Sequence, residues 1–414
     1  MKFDVLVLGA GMVGVSAALH LQARGRSVAL VDRRGAAEET SLGNAGIIQR
    51  EGVVPYGFPR DVKKLFLYAL NQLPEAHLHW TALPTIAPWL FRYFRHSSPE
   101  HIARSARALR PLVERCVVEH EALMEPAGVT GMIRRTGYMR VFRDPKRFDE
   151  QAKVEEHNRR VYGVVSEART QDQIREMEPH LTGNLAGAFH YVDPVSVADP
   201  SALGKAYAEL FRRRGGAFLT ADARTLEEAP EGWQVRTVDD VITARDVIVA
   251  LGPWSTEVLE PLGFKAPLGV KRGYHMHFRA RGNATLSRPV IDVENGFLLT
   301  PMTKGIRLTT GAEFARRGAA PTPVQLTKVE PVARDLFPLA DRVDPKPWLG
   351  ARPCLPDMVP MLGPIPGRKG LWADFGHHHL GFTLGPVSGR LLAEMITGET
   401  PHTDPWPYRA DRFA

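Results

Sequence analysis

The residues Gly9-Ala10-Gly11-Met12-Val13-Gly14 follow the apolar run Phe3–Leu8 directly, a spacing suited to a dinucleotide. Gly9 permits a tight turn, Gly11 lets backbone amides approach a pyrophosphate, and Gly14 lets helix and strand pack closely. The helix opening here offers free N–H groups and the positive end of its dipole to the phosphates. Ser27–Val31 reads as the next strand and ends at Asp32, where a carboxylate meets a ribose diol. Strand, helix, strand and acid in register define a dinucleotide site without separating FAD from NAD. The loop Thr40-Ser41-Leu42-Gly43-Asn44-Ala45-Gly46 is small and hydroxyl-rich, which lets backbone donors reach an anion that long side chains would block. Arg352 carries a planar fork able to pair with a carboxylate through two hydrogen bonds.

The elements that must position these residues alternate between two patterns. Residues 1–48 form a β-α-β unit and its loop. Val62 to about Glu125 is helical, broken by Pro74, Pro84, Pro88 and Pro111. Tyr138–Phe142 lies in an alternating, strand-like stretch, and Pro145–Glu178 reads as charged helix. Asp199 caps a helix that has Pro200 at its first position. Three short strands follow at Trp233–Thr237, Val241–Ala244 and Val247–Leu251, the last ending in the turn Gly252-Pro253-Trp254-Ser255. Further strands are expected at Tyr274–Phe278, Gly296–Thr300 and Ile306–Thr310. The chain then returns to an α/β pattern, with a strand at Leu371–Phe375, a Gly/His-rich turn, and a helix from about Leu384.

The chain has 414 residues, 44% of them hydrophobic and 24% charged, which suits a globular enzyme of two structural units. No apolar run approaches the ~20 residues that span a bilayer, so a cytoplasmic location is expected. The two cysteines, Cys116 and Cys354, form no Cys-x-x-Cys pair and argue against a zinc or iron–sulfur site. A net charge of +7 is scattered along the chain, and an anionic cofactor and substrate explain it as well as a nucleic acid would. No nucleic-acid partner is expected.

Several motifs in order make the chain resemble the D-amino-acid oxidase family of flavoproteins, most closely its bacterial D-amino-acid dehydrogenase branch. They are Gly9–Gly14 with Asp32; Thr40-Ser41-x-x-Asn44-Ala45-Gly46-Ile47-Ile48; Gly252-Pro253-Trp254-Ser255; Lys271-Arg272-Gly273-Tyr274; Trp348-x-Gly350-x-Arg352-Pro353-x-x-x-Asp357; and Gly376-His377-x-x-Leu380-Gly381-Phe382-Thr383. The resemblance selects FAD. It implies an α/β fold (α+β overall), with a Rossmann-like FAD-binding domain and an inserted substrate domain on a mostly antiparallel sheet. The ranges expected are 1–60, 195–265 and 345–414 for the FAD-binding domain, and 61–194 and 266–344 for the substrate domain.

By the same resemblance, Gly9, Gly11, Met12, Val13, Gly14, Asp32, Arg33, Gly252 and Trp254 hold the nucleotide. The family usually has Glu where Asp32 stands. Thr40, Ser41, Asn44, Ala45, Gly46 and Ile47 lie along the pyrophosphate and flavin. Gly376, His377, His378, Leu380, Gly381, Phe382 and Thr383 follow the pyrimidine edge of the flavin, and the helix after them aims its dipole there. Arg352 binds the carboxylate of an amino-acid substrate, and Tyr274 hydrogen-bonds the same group or packs in the core.

Some relatives have a second Arg where His379 stands. Adjacent residues in extended structure alternate faces, so His377-His378-His379 cannot easily converge on one metal ion, and none is expected. One or two of them, His379 among the catalytic residues, line the pocket. Some relatives tether the flavin through a Cys at the position of Gly350, so FAD here is expected to be non-covalent. The activity implied is FAD-dependent oxidation of a small D-amino acid, with a quinone or other electron carrier as acceptor. Alternatives are a D-proline or D-hydroxyproline dehydrogenase and an oxygen-using oxidase. Pro88–Arg95 mixes aromatic and basic residues, either as an interfacial helix making peripheral membrane contact or as one packed on the substrate domain.

Overall fold

The computed structural model of the protein describes residues 1–413. Strand β1 (Lys2–Leu8) enters helix α1 (Met12–Ala23) through the glycine turn, and β2 (Val28–Asp32) returns alongside β1 in parallel. The parallel sheet runs Ala217–Thr220, β2, β1, Val241–Val249, Leu371–Phe375. A hairpin, Glu227–Ala229 with Gly232–Arg236, and the edge strand Met361–Pro364 complete its eight strands in antiparallel pairings. Both faces are covered. Val5, Val7, Val28 and Leu30 pack with α1 and the helices Pro99–Ala127, Pro200–Arg213 and Gly381–Thr397, while Leu6, Leu8, Ala29 and Val31 pack with Trp233, Leu355 and Phe375. Burial on both sides is why these strands read as continuous apolar runs.

The second sheet has eleven strands and centres on the long strand Gly269–Ala280. That strand pairs antiparallel with Gly305–Thr309, Leu339–Arg342 and Trp348–Cys354. Two pairings in the sheet are parallel, Val290–Asp292 with Tyr138–Phe142 and Ala312–Phe314 with Ala76–Leu78.

Several elements depart from the sequence reading. Val241–Ala244 and Val247–Leu251 are one strand, Val241–Val249. It continues through Asp246 because Trp372 Nε1 and Arg245 Nε donate to that carboxylate at 3.0 and 2.9 Å. The charged stretch after Pro145 is broken. Its helix stops at Tyr162 before left-handed Gly163, a strand spans Ser166–Arg169, and a short helix capped by Thr170 covers Gln171–Met177. The C-terminal helix starts at Gly381, a turn earlier than expected, and carries Pro386 inside it. The carbonyl left without a helical donor, Phe382 O, accepts instead from His120 Nε2 at 2.8 Å. Two segments lie across the expected ranges: Trp348–Cys354 belongs to the antiparallel sheet, and Pro99–Ala127 packs with the helices of the parallel one. Among the described residues no helix is long and apolar enough to cross a membrane.

Helix α1 and the C-terminal helix touch through small residues. A β-carbon at Gly389 would come within 2.6 Å of the Ala17 nitrogen, so the helices would have to part. Overpacking of this kind costs about 1–3 kcal/mol. Gly389→Ala should therefore lower the thermal unfolding midpoint. An unchanged or raised midpoint by calorimetry would show that the contact has slack.

Candidate active site

The central strand Gly269–Ala280 alternates its side chains, and its register decides what reaches the site. Lys271, Gly273 and His275 stand opposite Arg352, Gly350 and Trp348, and His277 stands opposite Arg307 on the other neighbour. Directly opposed residues share a face. Lys271, Gly273, His275, Trp348, Gly350 and Arg352 all border one cavity of about 1000 Å³, which also runs along the glycine turn of β1.

Two glycines make room on that face. The Arg352 guanidinium lies over Gly273, where a β-carbon would come within 2.7 Å of Nη1. The Trp348 ring lies over both Gly350 and Gly43, where any side chain would overlap it, and stacks on His275 at 4.8 Å. Burial pushes His275 down to about 2, so this imidazole is neutral.

Arg352 is half-buried and donates only to two backbone carbonyls, Arg272 O and Gly311 O, each at 3.3 Å. Among the described residues no carboxylate pairs with it. Burial lowers its pKa from the usual guanidinium value. A desolvated cation without a counterion is costly unless an anion comes to pair with it.

The loop from Thr40 to Gly46 is pinned onto the same face. Thr40 Oγ1 donates to Ala351 O at 3.1 Å, and Asn44 Oδ1 accepts from Gly46 N at 2.8 Å. Arg307 donates to the carbonyls of Asn44 and Leu42. Its Nε donates to His277 Nε2 at 3.0 Å, so His277 carries its proton on Nδ1 and gives it to Asp344 Oδ2 at 2.6 Å. That chain of four residues was not visible in the sequence, since it joins positions 44, 277, 307 and 344. Only the alternation placing His277 with His275 could have hinted at it.

At the nucleotide end, Gly9 has φ +103°, and a β-carbon there would lie 2.5 Å from Ala250 O. Asp32 accepts from Ala10 N at 2.9 Å and from Arg34 N and Gly35 N at 2.8 and 3.3 Å. It braces the turn as well as bordering the cavity. Ser41 Oγ accepts from Met12 N at 3.0 Å, capping α1, and Arg33 stacks 4.9 Å over Trp254 beside Gly252. Met12, Val13, Ala45, Ile47, Leu380, Gly381 and Phe382 also border the cavity.

Four expected cofactor residues do not. Gly14 is packed under Gly9 O, Gly46 under Val197 O, and Gly376 under Leu355. Thr383 is buried, donating to Ile47 O at 3.2 Å and accepting from Gln49 N at 3.1 Å, so it ties the C-terminal helix to the Ile47–Gln49 segment.

Tyr274 borders the cavity, but its phenol is engaged elsewhere. It falls on the opposite face from Lys271 and Gly273, and its phenol oxygen is taken by Glu313 at 3.0 Å and by Thr322 N at 2.7 Å. With Arg272 paired to the same carboxylate at 2.6 Å, this hydroxyl has no capacity left for a substrate. Of its two readings, the geometry favours the structural one.

The histidines diverge. His377 Nε2 meets Ser388 Oγ at 3.1 Å, His378 Nε2 accepts from Leu355 N at 3.1 Å, and His379 stands 5.2 Å from the Tyr56 ring in the cavity. Burial, with Arg352 and Lys271 nearby, pushes His379 down to about 3.

A dinucleotide fits this cavity on its geometry. A β-carbon at Gly11 would meet nothing nearer than Ser41 Oγ at 3.4 Å, so protein packing leaves that face of the turn open. Two helix N-termini, at Met12 and Gly381, open near the cavity. Fold and cavity together define a dinucleotide-binding protein. Residues 4–395 match the family model described as "FAD dependent oxidoreductase" (DAO), and the chain belongs to that family.

It is 29% identical over 418 residues to the D-amino-acid oxidase of Bradyrhizobium diazoefficiens, covering 99% of this chain and 98% of that one. It is 30% identical over 416 residues to the D-amino acid dehydrogenase of Methylobacterium nodulans, covering 96% of each. The glycine oxidase of Geobacillus kaustophilus has a similar fold, with a TM-score of 0.75 at 21% identity over 99% of both chains. The protein is an enzyme that uses FAD.

Since the open face of Gly11 is where the pyrophosphate would lie, Gly11→Val should purify folded but colourless. A yellow variant with full flavin content would move the cofactor elsewhere.

Proposed function

We propose that the protein oxidises a small D-amino acid at its α-carbon–nitrogen bond. The imine product would hydrolyse to a 2-oxo acid and ammonia, and the electrons would pass to a quinone or another carrier. The observation that carries this reading is Arg352, a cation on the cavity face with no carboxylate partner among the described residues. The names of the curated relatives, both acting on D-amino acids, support it.

FAD, when bound, supplies the acceptor for the hydride leaving the α-carbon. The chain's own residues bind and orient. Amides at Gly11 and Met12 and the loop from Thr40 to Ala45 would face the pyrophosphate. Asp32 would meet the ribose, and Arg33 with Trp254 would flank the nucleotide end. The N-terminus at Gly381 would lie against the pyrimidine edge and favour negative charge there. Arg352 would fix the substrate carboxylate through a bidentate pair and so present the α-hydrogen. With FAD held non-covalently, Gly350 serves only to seat Trp348.

Peripheral membrane contact finds support in one helix, Val62–Ala69. Val62 and Phe66 are exposed beside Lys63, while Leu65, Tyr68 and Ala69 border the cavity. A carrier dissolved in an anionic membrane would meet the cavity edge there.

The relatives differ in the acceptor their names imply, so the acceptor is open to a direct test. Anaerobic bleaching of the yellow protein by a panel of D- and L-amino acids, including hydroxyproline isomers, should single out small D-amino acids. Turnover with a quinone or dye should exceed peroxide formation in air. Peroxide released as fast as dye is reduced would make it an oxidase.

Arg352→Ala should keep FAD but weaken substrate binding at least about tenfold, since charged hydrogen bonds contribute about 1.5–3 kcal/mol. Arg352→Lys should recover part of this. A carboxamide analogue should bind poorly to the wild type and lose little more in Arg352→Ala. Equal losses for acid and amide would mean that Arg352 supports the pocket and does not read the carboxylate.

A further inference from the structure

We propose that Lys271 is the second cation of the substrate site, so that the carboxylate is held between its ammonium and the Arg352 guanidinium. The inference rests on the role given to Arg352 above. Lys271 and Arg352 stand directly opposite on paired antiparallel strands, so both side chains leave the same face and reach the same cavity. Nζ of Lys271 lies 3.9 Å from the centre of the Tyr93 ring, with the rings of Trp89 and Phe314 at 5.8 and 5.9 Å. Trp89 stacks on Tyr93 at 5.1 Å and steadies that wall.

Aromatic faces attract an ammonium but give it no lone pair to accept its protons. Among the described residues no hydrogen bond and no ion pair reaches Nζ. Two adjacent cations with no counterion are costly unless a ligand brings the negative charge. An amino-acid carboxylate brings it, and its two oxygens can serve both groups at once.

The neighbouring His379 cannot supply that second charge, because burial and the two cations keep it neutral down to about pH 3. The groups facing Lys271 are Arg352 and Cys354 from the paired strand, His378 and His379 from the turn before the C-terminal helix, and Tyr93 from the helix Leu83–Arg95. Burial, with Arg352 adding to it against Cys354, brings the Lys271 ammonium down to about 8. Burial raises Cys354 and Tyr93 and lowers both histidines, so they shift away from that window. The ammonium is present below about pH 8 and lost as pH rises through it, and carboxylate affinity must fall in step.

The test uses the FAD-loaded protein and propionate, a carboxylate without an amine, titrated against the visible flavin spectrum below and above about pH 8. The wild type should bind more weakly at the higher pH. Lys271→Met should weaken binding about tenfold or more below that pH and abolish the pH dependence. Lys271→Arg should restore affinity and hold it across the range, a rescue that a merely structural lysine would not show.

Unchanged propionate affinity in Lys271→Met beside a weakened Arg352→Ala overturns the inference and leaves the Arg352 reading standing. Unchanged affinity in both variants removes the carboxylate site itself. If Lys271→Met keeps its propionate affinity but loses turnover of amino acids, the lysine is a proton acceptor and the inference falls. Should Lys271→Met fail to hold FAD, the wild-type curve decides, and a flat response through about pH 8 overturns the inference.

Discussion

Everything in the site depends on the register between the strands Gly269–Ala280 and Trp348–Cys354. The seven-residue pairing from Gly269–Cys354 to His275–Trp348 puts two cations, two glycines and a tryptophan–histidine stack on one face. The other face carries Arg272, Tyr274 and Met276 into a closed network and core around Glu313. Side chains alternate with a period of two, so a slip of one residue would carry Arg352 from the cavity side to the reverse face. The Arg272–Glu313 pair, sealed on the reverse face, works against such a slip because its charges would be separated in a buried setting.

The cavity thus carries two kinds of positive group at its two ends. Near β1 the donors are backbone amides and helix termini, which carry partial charge, cannot lose it with pH, and suit a phosphate chain of fixed shape. Near the long antiparallel strand the donors are whole side-chain cations whose burial weakens their hold on protons. The first end suits a resident group that stays through every turnover. The second suits a ligand that must come and go, since its anchoring charge can be matched and released. The loop from Thr40 to Gly46 joins the ends, and the relay from Asp344 through His277 to Arg307 clamps it from behind.

The nucleotide-binding half was largely legible in the chain because its signals are local: the glycine turn, Asp32, the cap at Asp199 and the strand Leu371–Phe375 each announce themselves within a few residues. The place of Arg352 on the cavity wall was legible through its motif. What escaped depends on pairing across long separations. Lys271 stood in a quoted motif, yet its partnership with Arg352 spans 81 positions and emerges only from strand register. The same register relocates Tyr274, whose motif offered no way to choose between two faces. Thr383 sat in the right segment but one helical turn further in, where its hydroxyl meets backbone. The break after Tyr162 was hidden because charged residues suit an exposed strand and helix alike.

The stack of Trp348 over Gly43 and Gly350 links three positions far apart in the chain into one unit of shape. None of the three can change alone: a larger residue at 43 or 350 evicts the indole, and a smaller residue at 348 opens a void against two bare glycines. Across descendants of a common ancestor such a trio would be inherited or replaced as a block. A lineage that placed a cysteine at position 350 to tether its flavin would first have had to give up the tryptophan. In this packing the indole at 348 and any side chain at 350 compete for one volume, so tethering and the tryptophan stack exclude each other here.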